Sequence, residues 1–493
     1  MRDAEPEKSP SEYPDDRRRA EDRPSGHLAH REPGGYREVL QIAVPLILST
    51  ASLTVALFVD RMFLAWYGET SVAAATPGGI TYFTFCSFFF GTTQYVNSIV
   101  AQHYGAGDRP ACARAVWQGI FFSIASVPVI LALIPLSSLI FSWSGHGAKV
   151  AKLEADYFSI LMVGGVMLPV NASLSSFFSG RGKTGVVMWG NVAGNAANVL
   201  LDYLLIFGKF GFPEMGIRGA GLATAVTGVL PALFWGGIFL SARYEKQYRS
   251  RREFRWDNRL FLMLIRYGVP SGVQFFLDVA SFALFVLLVG RLGVVDLAAT
   301  NIVLSIELLS FLPMIGMSIA TATLVGKYIG RGNPSLAERS VYSALKLALG
   351  YMTAMALLFF FFPEVFLAIF KYGMTEGPDF ATIVDRGTIL LRIVAVYTVF
   401  DTLFIIFSGA LKGAGDTRFA MWAQTLLAWI FFVPPVYLII EYLDLGLYVA
   451  WSWGLVYVIL LGTVFWARFH SGYWKQIQMI KTGSTGHGRV KPR

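Results

Sequence analysis

Twelve apolar runs, each long enough to cross the hydrocarbon core of a bilayer, occupy most of the chain and leave room for little else. They fall at roughly 39–65, 72–101, 116–141, 156–179, 186–208, 219–241, 262–290, 297–325, 341–369, 387–411, 420–440 and 446–468. Lipid cannot satisfy a free backbone N–H or C=O, so runs of this length read as helices. The expected fold class is therefore an all-α membrane protein with twelve transmembrane helices. Composition agrees, since only 15% of the 493 residues are charged and the mean hydropathy is +0.53, a balance that a soluble protein of this size could not hide from water.

The charges that remain are unevenly placed. With both ends on one side, 32 of the 41 Lys and Arg residues fall on the tails, loops and span ends of that side. Six, namely Lys149, Lys152, Lys209, Arg218, Arg291 and Lys371, fall on the opposite loops. The positive-inside rule then puts both termini in the cytoplasm of an integral protein of the cell (inner) membrane. Positive charge confined to tails and short loops argues for topology signals and contact with anionic membrane lipids, and against nucleic acid. Residues 1–35 hold Arg17, Arg18 and Arg19 among Pro, Glu and Asp, which reads as a disordered cytoplasmic tail, and residues 470–493 form a basic cytoplasmic tail. Cys86 in an apolar run and Cys112 in a basic loop offer neither a disulfide framework nor a metal site.

The chain repeats itself at an offset of 225. Val44-Pro45 matches Val269-Pro270, Gly68 matches Gly293, Ala73-Ala74 matches Ala298-Ala299, and Gly91 matches Gly316. QHYGAGDRPACARAV at 102–116 aligns without a gap on KYIGRGNPSLAERSV at 327–341. Each half holds six spans, an even number, so both halves enter the membrane from the same side as parallel repeats about an axis along the membrane normal. The expected organisation is a six-helix lobe over 36–241, a basic cytoplasmic linker over 242–260 and a second six-helix lobe over 261–469, with a cleft between two pseudo-symmetric lobes.

Carboxylates inside spans are costly and mark function by default. Five occur: Asp60 in the first span, Asp202 in the fifth, Asp278 in the seventh, Glu307 in the eighth and Asp401 in the tenth. None repeats, because the offset sets Asp60 against Phe285 and Asp278 against Leu53. The scaffold is duplicated and the charges are not. In the fifth span Asn191, Asn195, Asn198 and Asp202 are spaced 4, 3 and 4, which stacks them on one helical face. That face lines a cavity or bonds to a neighbouring helix. Gly190, Gly194 and Ala197 form an adjacent small-residue stripe for close helix packing. Depth along the helices puts Asp60 and Asp202 together in the outer half of the first lobe, and Asp278 and Asp401 near the midplane of the second. Glu307 is either their third partner or a cavity-lining residue. Such carboxylates can exchange a proton, or with amide and hydroxyl oxygens can hold Na⁺, at Asp278 and Asp401 or at Asp60 and Asp202. Either ion competes with an organic cation for the same negative charge.

Other chemistries lack their residues. SGRGKTG at 179–185 resembles the end of a Walker A loop, but Phe177 stands where its first Gly belongs. The histidines at 27, 30, 103, 146, 470 and 487 have no Cys or carboxylate partner at metal-ligand spacing, and no Ser, His and Asp arrangement emerges. No cofactor beyond H⁺ or Na⁺ and no enzymatic activity is expected; a membrane-embedded transferase would need a polar catalytic cluster in the loops.

The stretches AVPLILSTASLTVALFVDRMFLAWYG, NVLLDYLLIFGKFGFPEMGIRGAGLAT and FSGALKGAGDTR together resemble the multidrug and toxic compound extrusion (MATE) family over almost all of 36–468. The resemblance implies cation-driven export of small-molecule organic cations through a cleft between two six-helix lobes. It assigns cation coupling in the first lobe to Asp60, Asn198 and Asp202, with Thr224 of GLAT a looser match. Asp278 and Asp401 are similar to the acids of the sodium-coupled bacterial branch, where Glu is usual at the former. A monomer is expected. A lipid-linked oligosaccharide flippase of related fold is the alternative, distinguished by binding of polyprenyl pyrophosphates in place of drug cations.

Overall fold

The computed structural model describes residues 33–142, 147–370 and 379–480, so most of both expected tails lies outside the described residues. Among the described residues, twelve helical spans follow one another. The first six are α1 (Tyr36–Tyr67), α2 (Glu69–Gln94, continued by Val96–Gly105), α3 (Arg109–Ser142), α4 (Lys149–Ser179), α5 (Thr184–Phe207) and α6 (Ile217–Phe239). The second six are α7 (Asn258–Gly290), α8 (Val294–Gly330), α9 (Pro334–Phe361), α10 (Asp379–Ala414), α11 (Thr417–Glu441) and α12 (Gly446–His470). Ten are long and apolar enough to cross a membrane by composition alone. The other two, α2 and α5, are diluted by Thr and Gly and by the asparagine stripe respectively, which is a first sign that they face something other than lipid.

The repeat is visible in local structure. Gly107 and Gly332, equivalent positions, both take positive φ (80° and 71°) just past a helix end, a conformation that costs a side chain with Cβ far more than it costs glycine. The next residues, Asp108 and Asn333, cap the following helices by accepting from the backbone N–H of Ala111 (3.2 Å) and Leu336 (3.1 Å). Pro follows within the first turn of each helix, where its missing N–H is harmless.

The lobes meet through repeat-equivalent surfaces, with α1 packing on α8 and α7 on α2. Gly91 abuts the backbone of Gly272, while its equivalent Gly316 abuts that of Ile47, the counterpart of Gly272. The bonds between lobes are gathered toward the end that carries both termini. Glu38 pairs with Lys327 at 2.6 Å, Asn97 Nδ2 donates to Thr323 Oγ1 at 3.0 Å, and Gln102 Nε2 donates to the Gly413 carbonyl at 3.0 Å. The deepest is Thr50 Oγ1 to the Leu312 carbonyl at 3.3 Å. Beyond it, no interlobe hydrogen bond or ion pair occurs among the described residues.

The linker is a built turn held against α3. Arg114 pairs with Glu253 (2.6 Å) and Asp257 (2.9 Å), Trp117 Nε1 donates to the Ser250 carbonyl (2.7 Å), and Gln118 bonds the Arg255 carbonyl (2.9 Å) and the Asp257 N–H (3.2 Å). Burial alone would raise the Asp257 carboxyl. The Arg114 hydrogen bond, with the Leu260 and Arg259 N–H groups, outweighs it and holds Asp257 below the usual carboxylate range.

Candidate functional site

A polar ladder fixes the register of α5 on α1. Asn191 Nδ2 donates to Ser49 Oγ at 2.6 Å and Asn195 Nδ2 to Ser52 Oγ at 2.8 Å, pairs separated by 142 and 143 residues. The helices run parallel, so the same offset carries Asp60 onto Asp202, two turns further along. Phe63 against Tyr203, at 5.9 Å between ring centroids, and against Phe207, at 5.8 Å, continue the contact past the carboxylates. The asparagine stripe is thus a helix-to-helix ladder that also keeps partial accessibility at Asn191 and Asn195. The small-residue stripe works as expected. A Cβ at Gly190 would meet the Trp235 ring at 2.3 Å and one at Gly194 would meet Pro231 at 2.9 Å, so α6 packs there.

Asp60 and Asp202 are buried, at 4% and 0% exposure, and their charges interact. Both Asp202 oxygens and Asp60 Oδ1 have no hydrogen-bond partner among the described residues. One turn before Asp202, Asn198 Nδ2 reaches Thr224 Oγ1 on α6 at 3.4 Å, which leaves the Asn198 amide oxygen free of that bond. Tyr157 of α4, 4% exposed, stands where both carboxylate charges reach it. An unpartnered carboxylate pair out of water is strongly unfavourable unless a cation or proton joins it. The donor set of carboxylate, amide and hydroxyl oxygens suits a hard monovalent cation or H⁺.

The second-lobe acids sit differently. Asp278, Glu307 and Asp401 are deep in the protein yet partly accessible, as residues on a cavity wall are. Asp401 interacts with both Glu307 and Asp278, so the three share one region. Tyr397, one turn before Asp401, stands beside Glu307. Asp278 Oδ1 accepts from Gln424 Nε2 at 2.5 Å, and Gln424 Oε1 accepts from Gln274 Nε2 at 2.9 Å. Gln274 Oε1 is buried without a partner among the described residues. Lys412 places a positive charge within reach of Asp278.

The relay through Gln274 and Gln424, together with Tyr157 and Tyr397, is absent from the sequence reading. Single polar residues in apolar spans were the available signal for the glutamines. Helical spacing carries no information about which helices face each other. Two π-helical segments, Leu264–Gly268 and Leu427–Phe432, interrupt α7 before Asp278 and α11 just after Gln424. Prolines follow each, at Pro270 and Pro434-Pro435, and by removing backbone donors they account for the broken ladders.

Two parallel six-helix lobes, bonded along one end and each carrying acids deep within its helices, have the architecture of a membrane transporter. The MatE family profile matches residues 45–204 and 270–438, two segments whose starts are 225 residues apart, as the repeat requires. The chain belongs to the multidrug and toxic compound extrusion family. Among relatives, the Thermotoga maritima protein named "Probable multidrug resistance protein NorM" is 25% identical over 445 residues, covering 89% of this chain and 93% of the relative. A Rhizobium meliloti protein of the same name is 27% identical over 425 residues, covering 85% and 87%. The fold is shared with a solved structure of MATE in complex with MaL6 (TM-score 0.81, 19% identity, covering 91% of this chain and 98% of that one). It is also shared with the outward-facing conformation of a multidrug resistance MATE family transporter of the MOP superfamily (TM-score 0.80, 20% identity, covering 91% and 98%).

Proposed function

We propose that this chain exports organic cations in exchange for H⁺ or Na⁺ by alternating access, with both termini in the cytoplasm of the cell membrane. The observation that carries this reading is the Asp60 and Asp202 pair, buried and mutually interacting, with three oxygens that have no partner among the described residues. Only a bound cation or proton makes such a pair tolerable in the membrane interior. An organic cation arriving in the cleft competes for the same negative potential, and this competition couples the two fluxes. The second-lobe acids Asp278, Glu307 and Asp401 supply a further cation-binding region facing the cavity. On the orientation set by the basic residues, the interlobe bonds close the cytoplasmic end, so the cleft opens outward. Loading of the coupling ion from outside then precedes the opposite rocking of the lobes.

The test is transport of tetraphenylphosphonium by the purified protein in liposomes, under proton and sodium gradients imposed separately. Accumulation driven by one of the gradients and abolished by its collapse supports exchange. No driven movement under either gradient, with uptake of polyprenyl pyrophosphates instead, contradicts it and favours a flippase.

A further inference from the structure

We propose that Arg61 is a third charged member of the first-lobe site, a tethered cation that weakens the pocket's hold on its coupling ion and so sets how tightly that ion binds. The proposal rests on the cation-exchange reading of that site and extends it to a residue with no assigned part.

Arg61 follows Asp60 directly on α1, but its side chain runs under α2. A Cβ placed on Gly79 would lie 3.2 Å from Arg61 Nη2 and 3.9 Å from Tyr157 Cε1, so the guanidinium and the Tyr157 ring converge on one point. The neighbouring Gly78 faces Tyr157 and the backbone of Glu154, so α2 packs closely on α4 beside the guanidinium. Arg61 Nη1 is sealed from solvent and has no hydrogen-bond partner among the described residues. Nor does Arg61 form an ion pair within 4.0 Å with any described carboxylate. Its charge nonetheless reaches Asp60 and Tyr157, and Tyr157 also feels Asp202. Glu154, one turn before Tyr157, is buried on the same face of α4.

This combination is specific. A guanidinium stays charged under all physiological conditions, so one permanent positive charge stands against the Asp60 and Asp202 carboxylates. Because no ion pair closes between them, the carboxylate oxygens remain available to a ligand, while the potential they present is reduced. Poorly screened charges in a protein interior interact over several ångströms. A pocket tuned in this way holds a monovalent coupling cation more weakly than the two carboxylates alone would.

The experiment measures equilibrium ²²Na⁺ binding to purified protein in an Asp278→Asn, Glu307→Gln, Asp401→Asn background, which removes the second-lobe acids. Loss of a merely structural side chain disturbs the site and weakens or leaves unchanged its sodium affinity. Loss of a repelling charge strengthens it. The proposal predicts that Arg61→Gln and Arg61→Met each tighten sodium binding at least about tenfold, the size of a charge interaction of 1.4 kcal/mol, while Arg61→Lys stays near the parent. Unchanged or weaker binding in a neutral variant that retains its melting temperature overturns it, as does a lysine variant that binds as tightly as the neutral ones. If both neutral variants fail to fold, Arg61 is a structural residue and the proposal falls. Sodium binding needs no organic cation, so a protein that transports none still gives a reading here, and the two failures are separable.

Discussion

Gly105 and Gly330, equivalent glycines of the two halves, each press against the other lobe's backbone: a Cβ at Gly105 would lie 2.0 Å from the Lys327 carbonyl oxygen, and one at Gly330 would lie 2.0 Å from the Gln102 carbonyl oxygen. Gln102 and Lys327 are themselves repeat partners, so the pseudo-twofold axis passes through this contact. No side chain can move aside there, because the obstructing atoms are backbone. Overpacking of this kind costs about 1–3 kcal/mol, which shifts a two-state equilibrium by about 5- to 150-fold. Gly105→Ala and Gly330→Ala are each expected to move the population toward the state open at the terminus-bearing end. Spin-label distances between residues 104 and 331 report this directly, and an unchanged distance distribution in both variants contradicts a gate at this contact.

The second lobe yields a prediction about sodium. If Asp278 and Asp401 act as one cation site, sodium raises the apparent stability of the wild type by RT ln(1 + [L]/Kd), about 2.7 kcal/mol at a hundredfold excess over Kd. Melting in sodium and in matched choline is expected to show that shift lost in Asp278→Asn and in Asp401→Asn, with no further loss in the double variant, because the residues act as a unit. Gln424→Leu removes the amide that fixes Asp278 and is expected to reduce the shift without abolishing it. Equal shifts in every variant exclude these acids from ion binding.

Asp257 governs how the linker depends on pH. Its carboxyl is held below the usual range when folded, so its contribution to stability is fully present above the unfolded value of about 3.9 and disappears as pH falls through the lower folded value. Hydrogen exchange over residues 249–257 is therefore expected to stay slow from pH 7 to pH 5, relative to the intrinsic rate. Asp257→Asn is expected to speed it at pH 7, where the charge on Arg114 then has Glu253 as its remaining partner in this turn.

Span positions were legible because apolar length and charge asymmetry are summed over many residues, and the repeat because one offset holds from Val44 to Val116. The Asn191 to Asp202 stripe was legible too, since helical spacing alone puts its members on one face. Its partners Ser49 and Ser52 were not, because nothing in α5 states which helix lies opposite or in what register. The same gap hid Gln274 and Gln424, which stand 150 residues apart and meet only through the packing of α7 on α11. Arg61 was hidden by adjacency. Neighbours on a helix point apart, and spacing along α1 does not show that Gly79 of α2 makes room for its guanidinium beside Tyr157.

If cation exchange at Asp202 drives export, efflux of tetraphenylphosphonium from liposomes separates wild type from Asp202→Asn at verified equal incorporation. The amide preserves shape but cannot exchange a cation, so efflux is expected to fall to the protein-free rate while melting temperature and membrane insertion are kept. Asn198→Ala, which removes one ligand and leaves the charge, is expected to fall between the two. Wild-type efflux by well-folded Asp202→Asn under the same ion gradient contradicts the account.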